Sequence, residues 1–222
     1  CPGDARVRTV GHFAEGRRMN PGFHRHQSTG AVVATFSAGE ADLIRSLSRQ
    51  LIELLHNEQA VLETDPDPLE ALLDFSGPTS APDDPVLARL FPNAYRDDDQ
   101  AAGDFRRFTE GALRDGKSRA AADVIDVLEE AGLGESPENG VFIDVELDEA
   151  TAMTWMKSFN DMRLAIGTRL DVAEGDEEFW AALPDDDQRA HVHDIYTYLA
   201  YLQETLVEAL SDGWAVDAAE GN

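Results

Sequence analysis

The sequence predicts a mainly α-helical fold, a helical bundle around a central C-terminal helix with a small two-stranded β element. Three observations lead there. First, at 100° per residue the stretch His191 to Asp212 gathers its polar positions (His193, Asp194, Thr197, Glu204, Thr205, Glu208, Ser211 and Asp212) in one stripe. Val192, Ile195, Tyr196, Tyr198, Leu199, Leu202, Leu206, Val207 and Leu210 then spread over about two-thirds of the circumference, wider than a surface helix needs. Second, Ala31–His56 and Val141–Gly167 share one plan of strand, capping residue and amphipathic helix, a weak internal duplication whose two strands are expected to pair. Third, 222 residues with 42% hydrophobic and 28% charged content suit a soluble globular chain with a sizeable core.

Residues 1–30 mix Gly, Pro, Arg and His without periodicity and are expected to form a flexible N-terminal arm, followed by a single domain over 31–212. Ala31–Phe36 reads as a short strand, and Ser37 with Glu40 has the spacing of a capping box. The helix it opens carries Leu43, Ile44, Leu47, Leu51, Leu54 and Leu55 on one face, with Asp42, Arg45, Arg49 and Glu53 toward water. Between the prolines of 66–92, short helices fit Pro68–Phe75 and Pro85–Leu90, each with proline at its first position. Asp97–Arg114 follows with Ala101, Phe105, Phe108 and Ala112 as its apolar face; Gly116 weakens it, Ser118–Ala131 continues it, and Gly132 and Gly134 end the run. Val141–Leu147 alternates as a half-buried strand does. Asp148 caps a helix Glu149–Ile166, which Gly167 is expected to stop. Phe179 and Trp180 lead back to the core and the last helix, and 213–222 is expected to fray.

The net charge of −26 bounds the partners. Residues 1–30 hold five arginines against two acids, so 31–222, with 13 basic and 42 acidic residues, stands at −29. A body so acidic repels phosphate backbones and anionic lipid, so neither direct nucleic-acid binding nor membrane association is expected. No apolar run is long enough to span a bilayer, and no secretory signal is visible. The single cysteine, Cys1, has no intramolecular partner, which favours a reducing cytoplasm. Met19 is the expected start of translation.

The candidate chemistry lies where the apolar arcs are broken. Gln203 falls in the arc of the last helix; Arg163 falls inside, and Asn160 near the edge of, the arc of the Glu149–Ile166 helix. A buried amide or guanidinium needs partners, so Arg163, Asn160 and Gln203 are expected to cluster between two helices, closed by a carboxylate such as Asp104 or Glu110. Such a cluster either fixes helix register or binds a small anion. Metal and cofactor are not expected. His191 and His193 project about 200° apart on a helix, His24 and His26 sit in the arm, and Asp171–Glu178 lacks the alternating ligands of a calcium loop. Asp97–Asp99 reads as an acidic first turn of a helix, and no catalytic motif stands out, so an enzyme is not expected.

Asn93–Lys117 (NAYRDDDQAAGDFRRFTEGALRDGK), Ser158–Val172 (SFNDMRLAIGTRLDV) and Tyr198–Leu210 (YLAYLQETLVEAL) resemble an actinobacterial family catalogued as a domain of unknown function and encoded beside the ClpS adaptor. The similarity extends from about Ala31 to Ser211. The resemblance implies a mainly helical protein and, for part of the family, a redox-responsive regulator of oxidative-stress transcription acting through a sigma factor. An intramolecular thiol switch does not carry over to a chain whose one cysteine is Cys1. The expectation is a non-enzymatic cytoplasmic regulator working by protein–protein contact. Alternatives are a small anionic-ligand-binding domain using the Arg163 cluster, or an acidic mimic of nucleic acid. Tyr201, in the polar stripe of the last helix, leaves room for a homodimer.

Overall fold

The computed structural model describes residues 22–57, 77–136, 138, 140–184 and 186–220, the side chains of Asn57 and 213–220 excepted. It is mainly helical, with one small antiparallel sheet in the order β1 (His24–Arg25), β2 (Val32–Ser37), β3 (Phe142–Leu147). The expected pair is present: Val32 stands opposite Leu147 and Phe36 opposite Ile143. Ile143, Val145 and Leu147 face inward, while Phe142, Asp144 and Glu146 face out.

The sheet has three strands, not two, and the third lies in the segment expected to be an arm. Phe23, 3% exposed, packs edge-on against Phe36 and Trp155. Its N–H donates to Thr205 Oγ1 at 3.1 Å, and Arg25 Nε donates to the Ala209 carbonyl at 3.2 Å. Gly22 is required beside it: its φ is +73°, and a Cβ there would stand 2.5 Å from Thr205 Oγ1. A two-residue strand has no period to read, so only Phe23 in an otherwise polar stretch signalled it.

Six helices lie among the described residues: α1 (Ala38–Asn57), α2 (Pro85–Leu90), α3 (Asp99–Glu130), α4 (Glu149–Leu170), α5 (Glu177–Ala181) and α6 (Gln188–Glu220). The capping box forms, Ser37 N and Oγ donating to Glu40 Oε2 and Glu40 N to Ser37 Oγ. Asp148 accepts from Thr151 N, and Asp98 caps α3 through Ala101 N; of the Asp97–Asp99 run only Asp99 lies in the first turn. The helix expected at Pro68–Phe75 lies outside the described residues. Gly116 does not interrupt α3; Gly132, at φ +102°, follows its end. Gly167 does not stop α4, which runs on to Leu170 and is capped by Asp171 in the left-handed conformation. The tail expected to fray from 213 is helical to Glu220.

The last helix is not the centre. Leu199, Leu202, Thr205, Leu206, Ala209 and Leu210 form one buried face of α6, against α4, β1 and β2; Val207 is 43% exposed, and Val192, Ile195 and Tyr198 are half-buried. Tyr201 is half-buried on the core rather than free on the surface. The central element is α4, which packs against α1, α2, α3, α6 and β3. Its Trp155 and Phe159, both 0% exposed, meet edge-on at 5.7 Å in an aromatic cluster with Phe23 and Phe36. Tyr196, Tyr198 and Tyr201 widen the apolar arc of α6 in sequence, yet each is only half-buried.

Arginine burial departs furthest from the sequence reading. Arg45, expected toward water, is 3% exposed and donates to Asp42 Oδ1 and the Gly134 carbonyl, with Glu129 at 3.7 Å. On α3 the inward line is Arg106, Glu110 and Arg114, one turn apart and each under 6% exposed. Arg106 donates to Glu110 Oε2, the Phe91 carbonyl and Asn93 Oδ1; Arg114 donates to Glu110 Oε1 and the Leu55 carbonyl. The face expected to be buried points outward instead, with Phe105 45% and Phe108 62% exposed.

Candidate functional site

The candidate site is built on one stripe of α4, where Asn160, Arg163, Leu164 and Gly167 recur at helical spacing and the cap residue Asp171 follows. With Arg89 from α2, Tyr196 from α6, Thr168 and Val172, they line a cleft of about 350 Å³. Arg163 Nη1 donates to Gln203 Oε1 at 2.6 Å, so the structure joins guanidinium and amide across α4 and α6. The Arg163 guanidinium also lies over the Tyr196 ring, 5.3 Å from its centroid. Tyr196 and Gln203 are seven residues apart and share a face of α6, which is why both reach Arg163.

Gly167, read in sequence as a helix stop, has a packing role. A Cβ there would lie 3.2 Å from Tyr196 Cε2, so its absence lets the ring settle against α4 one turn beyond Arg163. Arg89 is positioned by the start of its own helix. Asp84 accepts from Val86 N and Leu87 N and receives Arg169 Nη2 of α4 at 2.6 Å, clamping α2 onto α4. Burial raises the Asp84 pKa, but the Arg169 hydrogen bond and the two backbone N–H groups outweigh it and hold the carboxyl below its ordinary range.

The expected cluster therefore forms in part. Arg163 and Gln203 meet; Asn160 is exposed on the cleft wall, and among the described residues no hydrogen bond joins it to the other two. Neither expected carboxylate closes it: Asp104 is exposed, and Glu110 is held between Arg106 and Arg114. Among the described residues Arg163 has no carboxylate partner. Arg89 and Tyr196 escaped the sequence reading. For Tyr196 the signal was its seven-residue spacing from Gln203; for Arg89, on a six-residue helix, periodicity offered none.

Fold and cleft define a class: a mainly helical domain with a small antiparallel sheet and several buried arginines. The chain belongs to the family described as Domain of unknown function (DUF2017), whose family model matches residues 19–210. It is similar to proteins named "Oxidative stress regulator AosR" in Mycobacterium bovis and Mycobacterium tuberculosis. Each is 33% identical over 177 residues, which cover 77% of this chain and 78% of the relative. No solved structure matches it. No helix among the described residues is long and apolar enough to cross a membrane.

Proposed function

We propose that this protein is a non-enzymatic regulator of the oxidative-stress response, acting in the cytoplasm through contact with a component of the transcription machinery. The names of the mycobacterial relatives support the oxidative-stress part of this reading. The family resemblance implies a sigma factor as the class of partner.

The observation that carries the contact is the outward side of α3. Phe105 and Leu113 are 45% and 52% exposed and line a mainly apolar groove with Leu90, Phe91 and Pro92, while Tyr95, ahead of the helix and 49% exposed, meets Phe105 edge-on. Large apolar side chains grouped on a surface mark interaction sites more often than isolated ones do. Crosslinking mass spectrometry in the native cell, with and without oxidant, is expected to recover one stoichiometric protein partner through the α3 face. Phe105→Asp with Leu113→Asp is expected to abolish that crosslink while leaving the circular dichroism spectrum unchanged. Failure to recover a partner, together with unaltered stress transcription in a deletion strain, would refute the proposal.

A further inference from the structure

The cleft between α2, α4 and α6 carries chemistry that a protein-contact surface on α3 does not use. In a chain with 44 acidic and 18 basic residues, carboxylates are in ample supply for every arginine. Buried Arg45, Arg106 and Arg114 each have one within reach. Half-buried Arg163 has instead a neutral amide and an aromatic ring. Arg89, exposed on the same cleft, makes no ion pair among the described residues.

The way Arg163 is held narrows the ligand. Gln203 takes Nη1. That leaves the Nε–Nη2 edge of the guanidinium, whose two parallel N–H groups match the two oxygens of a carboxylate. Nε is buried and has no hydrogen-bond partner, and Nη2 makes no hydrogen bond among the described residues. A buried donor left unmet is disfavoured, so this edge is the part of the site that an anion would satisfy. Arg89 and Arg163 set against Asp171 give the lining one net positive charge, which suits a monoanion better than a dianion. Leu164, Val172 and the Tyr196 ring supply apolar wall, and about 350 Å³ lies at the small end of ligand sites.

We propose that this cleft binds a small monocarboxylic acid, its carboxylate on Arg163 and Arg89 and its carbon skeleton against Tyr196, Leu164 and Val172. Gln203 and Tyr196 act as positioning residues, fixing the plane of the guanidinium.

Benzoate is the probe and inorganic phosphate the comparison, titrated into the full chain at constant ionic strength and followed by NMR. Benzoate is expected to shift the Arg163 Nε–H and Tyr196 ring signals saturably. Arg89→Ala, a change at an exposed position, should weaken the association about tenfold, the effect of losing one charged contact. Arg163→Lys, which keeps the charge but loses the fork, should abolish the shifts at Tyr196; its thermal melt reports whether the fold persists. If Arg163→Lys does not fold, Arg89→Ala decides. Saturation by phosphate but not benzoate overturns the carboxylate assignment. Absence of saturable shifts with either anion, or an affinity for benzoate unchanged in Arg89→Ala, overturns the site.

Discussion

At the scale of the residue, four arginines show what a side chain's type conceals. Arg45, Arg106 and Arg114 look like surface residues in sequence, because charge normally marks water. Each is buried because a carboxylate and a backbone carbonyl meet it inside. Arg163 could be recognised, since it interrupts an apolar arc facing a second interrupted arc; the partner at Gln203 follows from matching the two breaks. Its missing carboxylate could not be foreseen, because which acid comes near depends on the packing of α2 and α3. The bond between Arg163 and Gln203 is testable by itself. Gln203→Leu should destabilise the fold by about 1.5 kcal/mol, at the low end for a hydrogen bond to a charged group because the pair is only half-buried. Urea denaturation measures it, and the same substitution in an Arg163→Met background should cost less, the difference being the coupling.

At the scale of the element, α3 inverts the usual relation between polarity and burial. The rule that the apolar face is inside gave Ala101, Phe105, Phe108 and Ala112; Ala101 is half-buried and the other three are exposed. The clue in the sequence was the alternation of charge at 106, 110 and 114, which lets one carboxylate serve two guanidiniums on a single helix face. Phe91 adds a carbonyl to Arg106 and an aromatic face 4.7 Å from Arg114, contacts that come from another element and leave no local trace. Two substitutions separate the faces. Glu110→Ala strands two buried guanidiniums and should cost about 3–5 kcal/mol. Leu113→Asp, on the exposed side, should stay within about 0.5 kcal/mol of the wild type. Chemical denaturation of the pair gives the order; a costly Leu113→Asp with a benign Glu110→Ala would contradict the packing of α3. Elements with a cap and a clean period (β3, α1, the start of α4) were legible because local signals decided them. The centrality of α4 over α6 was not, since it depends on how many neighbours surround a helix rather than on its own composition.

At the scale of the whole molecule, the balance between 44 acidic and 18 basic residues governs how stability responds to solution conditions. At neutral pH the folded chain holds its carboxylates closer together than the unfolded chain does, so repulsion disfavours folding. Protonation relieves that repulsion, so stability is expected to rise as pH falls from neutrality. Asp161 acts in the same direction: burial pushes its carboxyl up, with the Lys117 hydrogen bond and charge pulling it partly back, so the ionised form costs stability above its folded pKa and the cost vanishes below it. Asp84 acts oppositely. Its lowered pKa means that its contribution is complete above the unfolded value and is lost as pH falls through the folded one, below about pH 4. The melting temperature should therefore climb from pH 8 toward the acid range and drop once the capping carboxylates protonate. Asp161→Asn, which keeps an acceptor for Lys117, should flatten the climb, whereas Asp84→Asn should weaken the acid drop. Added sodium chloride at pH 8 should raise the melting temperature because it screens repulsion among exposed carboxylates, and the gain should shrink at pH 5, where fewer of them are ionised. Calorimetry across pH and salt measures both trends, and a melting temperature that falls with salt at pH 8 would mean that the buried ion pairs, not the acidic surface, dominate the electrostatics of the fold.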